Sequence, residues 1–196
     1  MKRTVFLASL LLVVAFGPAA GVGVAQGKGC KGVDFPEHAR VGNSDLTLNG
    51  LGMRKATFLK VNVYVAALYV VHPSGEPQTL IDPATPAELI LHFVRNVGID
   101  DLRKAWREGF EKVAQDRLPA LNARIGTLSS WMEEMKTGQR LVFVRQPGAG
   151  IQVSVNGAVK GTIPGDDFSR ALLTIWLGAE PPNPEVKAGL LGGPCG

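Results

Sequence analysis

The alternation of apolar and polar side chains is most sustained between Asn49 and Val71, which reads NGLGMRKATFLKVNVYVAALYVV. Taken with period two, Leu59, Val61, Val63, Val65, Ala67 and Tyr69 form an almost wholly apolar face. The opposite face begins polar with Lys60, Asn62 and Tyr64 and turns apolar with Ala66, Leu68 and Val70. Successive strand side chains point to opposite sides, so the pattern predicts a long strand with one face in the core and a two-toned second face. Gly50 and Gly52 at its head permit either a tight turn or a close backbone approach that a Cβ would block. Arg54 stands just upstream. A polar mouth above an apolar floor suits a ligand with a polar head and a greasy body. A strand that simply meets solvent at one end produces the same pattern.

Period two recurs elsewhere. Leu46–Leu48 reads as a short strand feeding a turn at Gly50, and Val33–Phe35 as a first edge strand in an otherwise poorly patterned lead-in. Ala87–Val94 is a further strand, apolar enough to be buried on most of its length. Arg140–Arg145, Ile151–Val155 and Ala158–Ile163 follow, the last two joined by Asn156-Gly157, the strongest short hairpin signal in the chain. Spacings of three and four replace period two between Leu102 and Val113, where Leu102, Trp106, Phe110 and Val113 mark a helix capped by Asp100 or Asp101. Pro119 reads as a break before a second helix over Leu121–Met135, with Leu128, Met132 and Met135 inward and Gly138 after its end. Phe168, Leu172 and Trp176 form one stripe on a last long helix, and short helical turns are expected at Gln78–Asp82 and Val186–Leu190. On spacing alone, Trp106 and Trp131 are core anchors rather than platforms for a ligand.

Met1–Ala25 reads differently from the rest. Lys2 and Arg3 precede an apolar run from Val5 to Phe16, and Gly23-Val24-Ala25 offers small residues for cleavage, with Ala20 a second cleavage point. The run is shorter than the roughly 20 residues that span a bilayer, so a cleaved secretory signal is expected, and a periplasmic or secreted protein with it. The residues before Cys30 lack the small-apolar setting of a lipidated cysteine. Residues 26–196 are then one domain, long enough to bury roughly two thirds of the unfolded chain's surface. The formal net charge is +4, and losing Lys2 and Arg3 leaves +2. That is too little to argue for nucleic acid, and no basic cluster stands interleaved with aromatics.

The chain has two cysteines, Cys30 and Cys195. Export places them in an oxidising compartment, where an even count favours a disulfide; two free terminal thiols are the alternative. Neither has a neighbouring base that would make it a nucleophile. His38, His72 and His92 lie on separate elements without metal-site spacing, so no metal is expected. Gly148-Ala149-Gly150 leads into a strand and is no dinucleotide loop, and no G-x-S-x-G elbow occurs, so no cofactor is expected either. The adjacent acidic pairs near helix ends complement helix dipoles. Arg54 and Tyr64 are what remains.

Gly50-Leu-Gly-Met-Arg54 followed by Val63-Tyr-Val-Ala-Ala-Leu-Tyr-Val70 resembles the core motif of chalcone isomerase-fold proteins, above all the exported bacterial chalcone isomerase-like members. The resemblance continues through Leu91–Arg95, Glu108–Phe110, the Asn156-Gly157 hairpin and Phe168–Gly178. It implies an α+β fold, a large antiparallel β-sheet packed against a layer of α-helices, with a ligand cleft between them. In the plant isomerases an arginine, a threonine, a tyrosine, an asparagine and a late hydroxyl line that cleft. Here Arg54 keeps the arginine, while Tyr64, Leu102, Gly109 and Ile175 stand at or near the other four, with Asn62 the alternative occupant of the Tyr64 position. Arg54 with Tyr64 is similar instead to the fatty-acid-binding branch, where such a pair holds a carboxylate. The resemblance thus implies a non-catalytic binder of a fatty acid or similar amphipathic carboxylate, with Leu102, Trp106 and Phe110 beside its chain. An intramolecular lyase or isomerase that uses Arg54 and Tyr64 on an enolate is one alternative. A structural or partner-binding protein whose cleft is filled by Trp106 or Met135 is another.

Overall fold

The computed structural model describes residues 27–56, 59 and 61–196, so the signal expected over Met1–Ala25 lies outside the described residues. The chain is α+β. Its strands are Gly27–Cys30 (β1), Val33–Pro36 (β2), His38–Val41 (β3), Ser44–Ala56 (β4), Val61–Val70 (β5), Ala87–Phe93 (β6), Arg140–Gln146 (β7), Gly150–Val155 (β8) and Ala158–Ile163 (β9). The α-helices are Pro77–Ile81 (α1), Ile99–Val113 (α2), Leu118–Ser130 (α3), Asp166–Leu177 (α4) and Pro184–Leu190 (α5). Strands β3 to β9 form one seven-stranded sheet in sequence order, every neighbour antiparallel. Strands β1 and β2 form a separate hairpin.

Alternation decides which side chains meet the helices. On β6, Ala87, Leu89, Leu91 and Phe93 are buried while the residues between them are half-exposed. Those four join Ala66, Leu68 and Val70 of β5, Leu141 and Phe143 of β7, and the inward stripes of α2, α3 and α4 in the main core. The apolar odd positions of β5 serve a second core. Val65, Ala67 and Tyr69 pack with Leu46, Leu48 and Met53 of β4 and with Phe35 of the β1–β2 hairpin. The β8–β9 turn is the expected one, with Asn156 (φ 49°) and Gly157 (φ 84°) both left-handed.

Several expectations change. No turn forms at Gly50, because β4 runs unbroken from Ser44 to Ala56. Its glycines serve close approach instead: a Cβ on Gly50 would run into the Gly189 carbonyl oxygen, and one on Gly52 into that of Val186. Helix α5 therefore lies directly on the β4 backbone. The long strand begins at Val61, and Leu59 sits in the preceding turn, 69% exposed. Pro119 opens α3 rather than breaking the chain, since a proline in the first helical turn lacks only an N–H that would be unbonded anyway. Met132 and Met135 are buried beyond the end of α3, where Met135 pairs its backbone with Val97. The Gly-rich lead-in forms β1.

Cys30 and Cys195 are joined as a disulfide, with their Cα atoms 6.0 Å apart. The Met53 N–H donates to the Cys195 carbonyl at 2.9 Å, which ties the C-terminal segment to the outer edge of β4. Among the described residues no helix is long and apolar enough to cross a membrane.

Candidate functional site

Strands β4 and β5 pair so that Arg54 stands opposite Tyr64. The next pair is Lys55 with Asn62, so Val63 has no partner and the ladder carries a bulge. A bulge interrupts strict alternation, and both Val63 and Tyr64 reach the same cavity. Asn62, expected on the Tyr64 face, falls on the other side of the bulge; it is exposed and does not line the cavity.

The cavity measures about 490 Å³ and lies between the Arg54–Tyr64 end of the sheet and helices α2 and α4. Tyr64, Leu91 and Phe93 form its sheet wall. Leu102, Trp106 and Gly109 come from α2, at the three- and four-residue spacing that puts them on one helix face. Ile175 and Trp176 come from α4. Leu102 and Trp106 are 6% and 4% exposed. Gly109 lets Ile175 of α4 pack close to α2, since a Cβ there would sit 3.1 Å from Ile175 Cδ1. The rim is polar and mixed in sign, with Arg95 and Lys112 beside Asp101, Glu108 and Glu180.

Arg54 and Tyr64 supply the polar groups at the sheet wall. Arg54 is half-buried and makes no hydrogen bond or ion pair among the described residues. The Tyr64 hydroxyl accepts a hydrogen bond from Trp176 Nε1–H at 2.9 Å. Burial pushes the Tyr64 phenol up to about 12, against the Trp176 bond and the Arg54 charge, which both lower it. Tyr64 is therefore neutral and protonated at physiological pH. Its ring meets Phe93 edge-on at 5.6 Å.

The floor is aromatic. Trp106 packs edge-on against Phe143 at 5.3 Å and against Trp176 at 5.8 Å, geometries that suit the ring quadrupoles. Trp106 Nε1–H is buried without a hydrogen-bond partner among the described residues. A cavity of this kind offers two donors at one wall and an apolar body below them.

Of the residues singled out from the sequence, the fold brings Arg54, Tyr64, Leu102 and Trp106 to one cavity and leaves Asn62 outside it, and Phe110 is buried against Phe168 rather than lining it. The sequence pattern gives Trp176 only as part of a core stripe. Helical spacing places an indole on a buried face, and nothing in spacing says that its N–H meets a phenol on a strand 112 residues away. Among the described residues no group of His, Cys, Asp and Glu side chains is arranged to hold a metal ion.

The fold is similar to the crystal structure of an Arabidopsis thaliana fatty-acid binding protein, with a TM-score of 0.68 and 18% sequence identity over 85% of this chain and 96% of that chain. At that identity the likeness is one of fold. No curated protein matches the chain. A family model described as chalcone isomerase-like matches residues 27–192. The match runs from β1 through α5 and takes in the whole cavity, and the chain belongs to the chalcone isomerase-like family.

Proposed function

We propose that the protein is a non-catalytic binder of a fatty acid or a similar amphipathic carboxylate. The observation that carries this reading is Arg54 facing Tyr64 across β4 and β5, without an ion-pair or hydrogen-bond partner among the described residues, at the wall of an apolar cavity. A guanidinium presents a planar fork to a carboxylate, and the phenol adds a second donor. The walls from Leu102, Trp106 and Phe93 shelter the chain, at about 0.8 kcal/mol for each buried CH₂. The Arabidopsis protein of similar fold, named for fatty-acid binding, supports the same ligand class. Export is supported by the signal-like Met1–Ala25 and by the Cys30–Cys195 disulfide, which persists in oxidising compartments. The site residues are then Arg54 and Tyr64 on the head group and Leu102 and Trp106 along the chain.

Calorimetric titration with a long-chain fatty acid tests the reading. Arg54→Ala is expected to weaken binding by roughly 1.5–3 kcal/mol, the range for hydrogen bonds to charged groups, and Tyr64→Phe by about 0.5–1.5 kcal/mol. Arg54→Ala should move the thermal melt little, because the apolar odd face of β5 is untouched, whereas Tyr64→Phe leaves the buried Trp176 N–H without its acceptor and should lower it. A wild type that takes up no fatty acid sinks the proposal.

A second reading has the buried, protonated Tyr64 and Arg54 stabilising an enolate, as an isomerase would. Leu102, Gly109 and Ile175 provide no hydroxyl or amide side chain to position such a substrate, so no acceleration of chalcone cyclisation above buffer is expected. An Arg54-dependent rate on a chalcone decides for the enzyme.

A further inference from the structure

We infer that Trp176 is the positioning residue that sets which head group this cavity accepts, by fixing Tyr64 as a hydrogen-bond donor. The inference rests on the binding role proposed above for Arg54 and Tyr64.

An indole N–H only donates, so the 2.9 Å contact has one direction: Trp176 gives and the Tyr64 oxygen receives. A phenol carries a single proton, and with its oxygen engaged by Trp176 that proton is directed elsewhere. Among the described residues nothing accepts it. The other tyrosine of the chain shows the contrast, since the Tyr69 hydroxyl donates to the Pro36 carbonyl at 2.9 Å. Tyr69 spends its proton on the backbone, and Tyr64 keeps its own for the cavity.

Trp176 is held in place. It is 2% exposed and is packed by Trp106 at 5.8 Å and Phe143 at 6.4 Å. Its N–H therefore has Tyr64 as its standing partner. Arg54, opposite Tyr64, has donors and no acceptor. A head group entering between them meets donors from both, the Tyr64 oxygen is already engaged by Trp176, and the acidic side chains Asp101, Glu108 and Glu180 stand at the rim.

A carboxylate satisfies both donors and brings no proton of its own. A primary amide of the same chain length offers one acceptor oxygen and leaves its N–H groups unpaired, which a buried site penalises. Removing the Trp176 N–H frees the Tyr64 oxygen to accept. Selectivity for the carboxylate should then fall while the apolar walls stay as they were.

The experiment titrates dodecanoate and dodecanamide into the wild type, Trp176→Phe, Tyr64→Phe and the double variant. Trp176→Phe should reduce the dodecanoate-over-dodecanamide preference by about 2- to 12-fold, the range for one neutral hydrogen bond. The same change made in the Tyr64→Phe background should leave the preference where Tyr64→Phe alone puts it. An equal loss in both backgrounds, or an unchanged preference, overturns the inference and makes Trp176 a packing residue. Replacing the Trp176 indole by benzothiophene keeps its shape and removes the N–H; it must reproduce the loss if Trp176→Phe disturbs folding, and its failure to do so counts against the inference. A wild type that binds neither ligand fails the binding role itself and takes this inference with it. A wild type that binds dodecanoate without coupling between positions 64 and 176 fails the inference alone.

Discussion

Arg145 shows how much one side chain can be asked to do inside this sheet. It is 1% exposed, on the helix-facing side of β7, with no carboxylate within ion-pair distance among the described residues. Its guanidinium donates instead to the carbonyls of Leu80, Ile81 and Thr85 at 3.0, 3.2 and 2.8 Å. Two of these belong to the last residues of α1, whose carbonyls have no partner within the helix. Burial lowers its pKa to about 10, so it is still charged at neutral pH. Arg145→Met keeps the volume and removes the donors, and should cost on the order of 3 kcal/mol as buried acceptors lose their partners. A chemical denaturation series reads this directly, and a loss within error would mean that water replaces the guanidinium. Arg145 was legible only as the end of a strand, because alternation gives the side a residue faces and not the carbonyls waiting there. Asn62 fails for a related reason: one unpaired residue, Val63, shifts the phase, and no local signal in the sequence marks it.

The β1–β2 hairpin is an element with few apolar residues of its own, and it is held to the sheet by Phe35, by the Tyr69–Pro36 hydrogen bond and by the Cys30 disulfide. That ring is 1% exposed, with the His92 ring edge-on at 6.3 Å and the Arg140 guanidinium 5.7 Å from its centroid. Arg140 Nε donates to His92 Nδ1 at 3.1 Å. The bond requires an unprotonated Nδ1, so His92 is neutral in this arrangement. Burial first, and then the Arg140 charge, lower its pKa below the ordinary 6.5. A folded state that binds the proton more weakly than the unfolded chain loses stability as pH falls. The contribution of His92 is therefore complete above 6.5 and fades as pH drops through the lower folded value. Glu88, on the same face of β6, slopes the other way: burial raises its pKa above 4.5, so its contribution is lost as pH rises through the folded value. His92→Gln keeps an acceptor and does not titrate, which isolates the histidine. Between about pH 7 and pH 5, the wild type should lose melting temperature relative to this variant; parallel curves would exclude the role. Most elements were readable from period and spacing, down to the Asn156-Gly157 turn. β1 was not, because Gly27 and Gly29 give it almost no pattern, and its pairing with β2 comes from the backbone.

At the scale of the whole molecule, the sheet is a succession of neighbours in sequence, and that order is what made the architecture legible. The ends are a different matter. α5 rests on the β4 glycines and Cys195 reaches Cys30, contacts that join residues with little pattern between them. The glycines Gly50 and Gly52 were visible in the sequence, but not the helix that they make room for. The disulfide spans a sequence separation of 165, and the chain-entropy argument gives a loop of that length on the order of 5 kcal/mol at most. Reduction should lower the melting temperature without abolishing the fold, since the main core contains neither cysteine, although Cys30 and Cys195 pack in the second. Melting curves with and without a phosphine reductant decide it, and identical curves would mean that the bridge contributes nothing.

Joined at Cys30 and Cys195, the chain between them is a covalent circle. Such a circle has no privileged beginning. A protease that cuts once in the exposed Asn156-Gly157 turn opens the circle without dividing it, and the product migrates as one piece until the disulfide is reduced. The same topology permits the gene to be re-started at that turn, with positions 30 and 195 linked through a peptide segment in place of the sulfur bridge. The seven strands would then be made in a new temporal order while keeping the same neighbours.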